Sequence, residues 1–164
     1  ITIIEMRTRL KNELIRQWPD GTNITNSGFI ENYEDIINRL ESHIDIEPIN
    51  IHIINYEFDK VILITLKFNN NYPFKPPTVM VNTTYNYKQL VVNINNTLVK
   101  QTLGLDCLCC SSILCKWSPA YGISHLIDEI SQNLHLKLRS SSINVAHLFT
   151  MNVFGHYLPI EEFL

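Results

Sequence analysis

No stretch of this 164-residue chain approaches the ~18 consecutive apolar residues of a membrane-spanning helix, which excludes that class. Positive charge is also scarce. Thirteen Lys and Arg stand against sixteen Asp and Glu, a net charge of −3, so the clustered cations of a nucleic-acid binder are missing. The chain opens on Ile1-Thr2, with neither a Met nor a signal peptide, and the expectation is a fragment of a longer protein. Repeats and low-complexity linkers are absent. What is present suits one domain with its own core: 45% of residues are apolar and 18% charged, too apolar for intrinsic disorder. The 23 Ile and 18 Asn read as a trace of an AT-rich genome.

Cysteine is confined to one place. Cys107, Cys109, Cys110 and Cys115 fall within nine residues, whereas a secreted scaffold spreads its cysteines along the chain. A bridge within so small a loop would stabilise little. Reduced thiols in a cytosolic or nuclear setting are the expectation.

Periodicity gives the elements. Met6, Leu10, Leu14 and Trp18 form one helical stripe, with Arg7, Lys11, Glu13 and Arg16 mostly elsewhere, and Pro19-Asp20-Gly21 ends it. Phe29, Tyr33, Ile36, Ile37, Leu40 and Ile44 predict a second helix, stopped by Pro48. Neither helix suggests chemistry. Alternation from Ile49 to Tyr56 and the β-branched run Val61–Phe68 predict strands, and Thr78–Val81 a third, antiparallel to the second. Residues 82–106 read as irregular. A third helix carries Ile123, Leu126, Ile127, Ile130 and Leu134 inward. The class is α+β, a small antiparallel meander flanked by helices.

Between the second and third strands lies Tyr72-Pro73-Phe74-Lys75-Pro76-Pro77. Three prolines fix φ three times and remove three donors, which predicts a rigid, extended crossing that joins neither sheet nor helix. Forty residues after Pro77 comes Trp117-Ser118-Pro119-Ala120. Strand, Tyr-Pro-Phe-Lys-Pro-Pro, strand, Cys-Leu, then Trp-Ser-Pro-Ala and an amphipathic helix resembles the core of the ubiquitin-conjugating enzymes. The resemblance is specific from Val61 to Leu134 and architectural before that. It implies the UBC fold with an extra N-terminal helix. It divides the single domain into an N-terminal helix and loop (1–28), a core (29–137) and a divergent extension (138–164).

The resemblance also implies transthiolation. A cysteine accepts ubiquitin or a ubiquitin-like modifier as a thioester from an activating enzyme and passes the acyl group to a lysine amine, often with a RING-type ligase. A thiolate suits both steps as nucleophile and as leaving group, and no cofactor or metal is needed. The family has Gly three residues before the nucleophile and Leu after it, which Gly104, Cys107 and Leu108 match. Counting eight residues back from Trp117 lands instead on Cys109, so Cys107 and Cys109 both stand. Cys110 and Cys115 are expected as small buried hydrophobes. By the same resemblance Phe74, Ser118, Pro119 and Ala120 contact the activating enzyme and ligases, and Trp117 packs beneath the active-site loop.

The family's His-Pro-Asn, whose Asn supports the oxyanion or the cysteine loop, is missing. Val91-Val92-Asn93-Ile94-Asn95 is the closest match, which makes Asn93 the candidate for that role. A downstream helper of the incoming lysine would fall near Ser141, where the surrounding residues do not match. Two other readings use the same residues. One is a catalytically silent relative, or an RWD-like domain, that binds ubiquitin or a partner. The other is a structural zinc site on the cysteines with His125, though the spacing lacks a second paired motif.

Overall fold

In the first helix, α1 (Ile3–Gln17), Thr2 forms a reciprocal cap with Glu5: the Thr2 hydroxyl accepts from the Glu5 amide at 3.1 Å, and the Glu5 carboxylate accepts from the Thr2 amide at 2.7 Å. The computed structural model describes residues 2–25, 27–42, 48–56, 61–92, 96–104 and 108–150, with side chains omitted at 92, 96, 98, 99, 102, 109, 110 and 139–150. Met6, Leu10, Leu14 and Trp18 are buried along one side of α1, as the stripe predicts. Arg7 is a correction. It is 1% exposed, and its guanidinium donates to the carbonyl of Arg39 at 2.8 Å, which ties α1 to the next helix.

Strands β1 (Thr22–Asn23) and β2 (Gly28–Ile30) follow, then α2 (Tyr33–Glu41). Phe29 was expected on a helix and lies in β2. It pairs with Ile54 of the next strand and stacks on Tyr56 at 5.8 Å, so sheet pairing overrides the four-residue spacing from Phe29 to Tyr33. Asn32 marks the switch: its side-chain amide donates to Asn50 O at 3.0 Å, and its carbonyl accepts from the His52 amide at 3.3 Å. Ile36 and Leu40 of α2 are buried. Ile44 lies outside the described residues.

The remaining strands are β3 (Ile49–Asn55), β4 (Ile62–Phe68), β5 (Thr78–Val81) and β6 (Tyr85–Asn86), and the six form one antiparallel sheet in sequential order. Register sets Ile51 opposite Leu66, Ile53 opposite Ile64, Leu66 opposite Val79 and Ile64 opposite Val81. Because side chains alternate across a strand, these residues share one face, and all six are buried. The sheet has twice the three strands expected. The added strands are two or three residues long, too short for their alternation to stand out in sequence.

The region 82–106 is another correction. It contains β6, α3 (Tyr87–Val92) and α4 (Asn96–Leu103). Asn residues supply its turns, as at Asn82, whose φ of 52° is left-handed and whose side chain accepts from Leu63 N at 3.0 Å. A single turn, α5 (Leu108–Ser111), precedes the long α6 (Ile123–Thr150). Ile123, Leu126, Ile127, Ile130 and Leu134 are buried as expected, and α6 runs continuously past the boundary drawn at 137. Helices and sheet share one core that includes Leu10, Leu40, Leu66, Tyr87 and Leu126. The class is α+β. Among the described residues no helix is long and apolar enough to cross a membrane.

Candidate functional site

The proline-rich crossing turns before it extends. The amides of Phe74 and Lys75 both donate to Asn71 O, at 2.8 and 3.0 Å, so an extended conformation throughout is corrected to a turn followed by Pro76-Pro77. The Tyr72–Pro73 peptide is cis. The turn separates the two aromatic rings: Tyr72 is 1% exposed and Phe74 60%. Tyr72 packs edge-on against Phe68, with ring centroids 4.9 Å apart.

The crossing and the Trp-Ser-Pro-Ala segment meet. The Trp117 indole Nε1 donates to Pro73 O at 2.7 Å, and the Trp117 ring lies 6.2 Å from Tyr72 and 5.9 Å from Tyr121. Ser118 then closes a turn, its hydroxyl accepting from Ala120 N at 3.3 Å and its carbonyl from Tyr121 N at 3.0 Å. Pro119 and Ala120 are exposed, and Ser118 is half-buried.

Helix α1 brackets both segments. Arg9 Nη2 donates to Pro119 O at 2.7 Å and to Tyr121 O at 2.9 Å, while its guanidinium lies 5.6 Å over the Tyr72 ring. Arg9 also pairs with Glu13 at 3.5 Å, and Glu13 accepts a short hydrogen bond from the Tyr72 hydroxyl. Burial and the Glu13 carboxylate push the Tyr72 hydroxyl well above the usual tyrosine range, with Arg9 acting in the opposite direction. Gly122 lies close against this group: a β-carbon there would displace the Glu13 carboxylate. A cleft of about 450 Å³ lies between α1 and this loop, lined by Arg9, Glu13, Arg16, Ala120 and His125. Sequence reading assigned α1 no chemistry. The available signal was Arg9 and Glu13, four residues apart on its polar side.

Of the sequence-derived catalytic candidates, Cys107 and Asn93 lie outside the described residues. Cys109 is on α5, backbone only, together with Cys110. Gly104 ends α4 at φ 69°, its amide donating to Lys100 O at 2.9 Å, a left-handed helix terminus. Cys115 is exposed with a free thiol, which corrects the expectation that it is buried. His125, weighed as a metal ligand, instead accepts from Gly122 N at 3.2 Å and meets Tyr121 edge-on. Among the described residues no cluster of His, Cys, Asp or Glu could hold a metal ion.

A second polar group lies behind the cysteine segment. Glu129 of α6 accepts from Ser112 Oγ at 2.9 Å, from Ile113 N at 2.8 Å and from the Tyr87 hydroxyl at 3.1 Å. Asn133 donates to the same Tyr87 oxygen at 2.7 Å. Sequence reading missed this group, because its members are scattered over 46 residues and carry no motif.

Comparison of the chain with family models, with curated proteins and with solved structures finds no match.

Proposed function

We propose that the chain is a conjugating enzyme of the UBC fold, acting on ubiquitin or a ubiquitin-like modifier. The observation that carries this reading is the meeting of its two motif segments. The Trp117 indole donates to Pro73 O, and the segment that bears the cysteines lies just before Trp117 in the chain. Support also comes from the exposure of Phe74, Pro119 and Ala120 around that contact. Such a surface can meet an activating enzyme or a RING-type ligase without disturbing the buried Tyr72.

The chemistry is two acyl transfers. A cysteine thiolate, on Cys107 or Cys109, attacks the thioester carbonyl of the charged activating enzyme, whose own thiolate leaves. A lysine amine then attacks the new thioester, a proton is lost from nitrogen, and the cysteine thiolate departs. Nothing is oxidised or reduced, and no cofactor takes part. Asn93 is the residue assigned to support the developing oxyanion.

The second reading is a silent relative that binds modifier or partner. It is favoured by the absence of His-Pro-Asn from the chain.

The test is a charging reaction with activating enzyme, ATP and modifier on the wild type and on Cys107→Ser, Cys109→Ser and Cys110→Ser. A thiol-sensitive adduct that one substitution abolishes, or converts to a thiol-resistant ester, names the nucleophile. No adduct with any of several modifiers overturns the reading in favour of the binding module.

A further inference from the structure

The cysteine segment has little to hold it in place by itself. Helix α5 is four residues long, a single turn, and one turn has no independent stability in water. Its position is therefore set by its packing against α3 and by its ends. At one end Leu108 is 5% exposed and belongs to the common core. At the other, Ser112 is 2% exposed, and its hydroxyl and the next amide, Ile113 N, both donate to the Glu129 carboxylate. The Ser112 hydroxyl in turn accepts from Leu114 N at 3.2 Å, so the turn after α5 is organised around that contact.

Glu129 is well placed to anchor it. It stands on α6 between Ile127 and Ile130, both buried, so its backbone is fixed by core packing. Its third donor, the Tyr87 hydroxyl, brings in the start of α3, and Asn133 holds that hydroxyl from the next turn of α6. One carboxylate thus joins α3, α6 and the cysteine segment. A half-buried carboxylate between packed elements costs desolvation, and an apolar side chain would pack there without it. Three converging donors offset that cost and fix one arrangement of the segment.

We propose that Glu129 is the positioning residue that holds the cysteine segment for thioester exchange, an inference that rests on the conjugating reading above. Exchange requires the nucleophilic sulfur at near-contact distance from the incoming carbonyl, and small misplacements are expensive. Glu129 acts through Ser112 and Ile113.

The experiment compares wild type with Glu129→Ala, Glu129→Gln and Ser112→Ala. Amide hydrogen exchange over residues 108–115 and iodoacetamide alkylation of each cysteine, mapped by mass spectrometry, report the clamp. Single-turnover charging reports its consequence. Glu129→Ala is expected to slow charging by about 10- to 100-fold and to speed exchange and alkylation of the segment. Glu129→Gln keeps an oxygen that accepts from Ile113 N, and it is expected to return charging to within about threefold of wild type. Ser112→Ala, which leaves the Tyr87–Asn133 contact intact, is expected to fall between them and keeps the test decisive should Glu129→Ala fail to fold.

Exchange and alkylation unchanged in Glu129→Ala and Ser112→Ala would overturn the clamp. A loosened segment that still charges at the wild-type rate would overturn its part in exchange. If wild type charges with no modifier, the conjugating reading falls and takes that part with it, while exchange and alkylation still judge the clamp itself.

Discussion

The indole nitrogen of Trp117 donates to the carbonyl of Pro73 at 2.7 Å, a contact that spans 44 residues of sequence and joins the proline-rich crossing to the Ser-Pro-Ala turn. Proline is a suitable partner. Its ring removes the amide donor and fixes φ, while its carbonyl remains free to accept.

Replacing Trp117 by Phe keeps much of the ring and removes the donor. The expected loss is about 1 kcal/mol of stability, the usual net value of one such hydrogen bond. Trp117→Ala also removes the contacts with Tyr72 and Tyr121 and is expected to cost about 3 kcal/mol. Urea unfolding of both variants checks this, and equal midpoints for Phe and wild type would show that the bond contributes nothing.

The Tyr72–Glu13 hydrogen bond connects the crossing to α1, with Arg9 beside both. Tyr72→Phe and Glu13→Gln should therefore be non-additive. The expected coupling in a double-mutant cycle is about 1 kcal/mol, within the range for residues in contact. Independent effects would mean that the Tyr72–Glu13 contact does not help to dock α1.

Alkaline titration tests the same hydroxyl together with Tyr87. Burial raises both, reinforced at Tyr72 by Glu13 and at Tyr87 by Glu129, with Arg9 and Asn133 respectively opposing. The folded values lie above the unfolded one, so the unfolded chain releases these protons first. Their contribution to stability is complete below pH ~10 and is lost progressively above it. Absorbance at 295 nm should show Tyr72 and Tyr87 ionising late in the folded protein and near pH 10 in guanidinium. Tyr72→Phe should remove one of the late pair. Uniform titration of the native protein near pH 10 would contradict the burial of these groups.

Much of the framework was legible because long elements repeat their signal. The stripe from Met6 to Trp18, the alternation from Ile49 and the inward residues of α6 each recur several times, and burial follows them. Short elements do not average out local ambiguity. Phe29 satisfies helical spacing toward Tyr33, yet its partner Ile54 lies in a strand that only the fold brings beside it. The helices within 82–106 escaped for a similar reason, since α3 and α4 are six and eight residues long in an Asn-rich setting.

The candidate site divides in the same way. Tyr72–Pro77 and Trp117–Ala120 stand out in sequence because proline and tryptophan are few and carry strong constraints. Arg9, Glu13 and Glu129 do not, because a charged residue on a helix is most often solvated, and nothing in its neighbours says otherwise.

The sequence by itself determined an α+β chain with an amphipathic first helix, a central antiparallel pair of strands and two stiff motif segments, because hydrophobic period and proline geometry act locally. Tertiary structure alone decided that Arg9 would reach Pro119 and Tyr121, that Arg7 would be buried against Arg39, and that Glu129 would gather donors from the cysteine segment and α3. A carboxylate or guanidinium takes its role from whatever donors and acceptors the packed core brings within about 3 Å, and that is fixed only when distant elements meet.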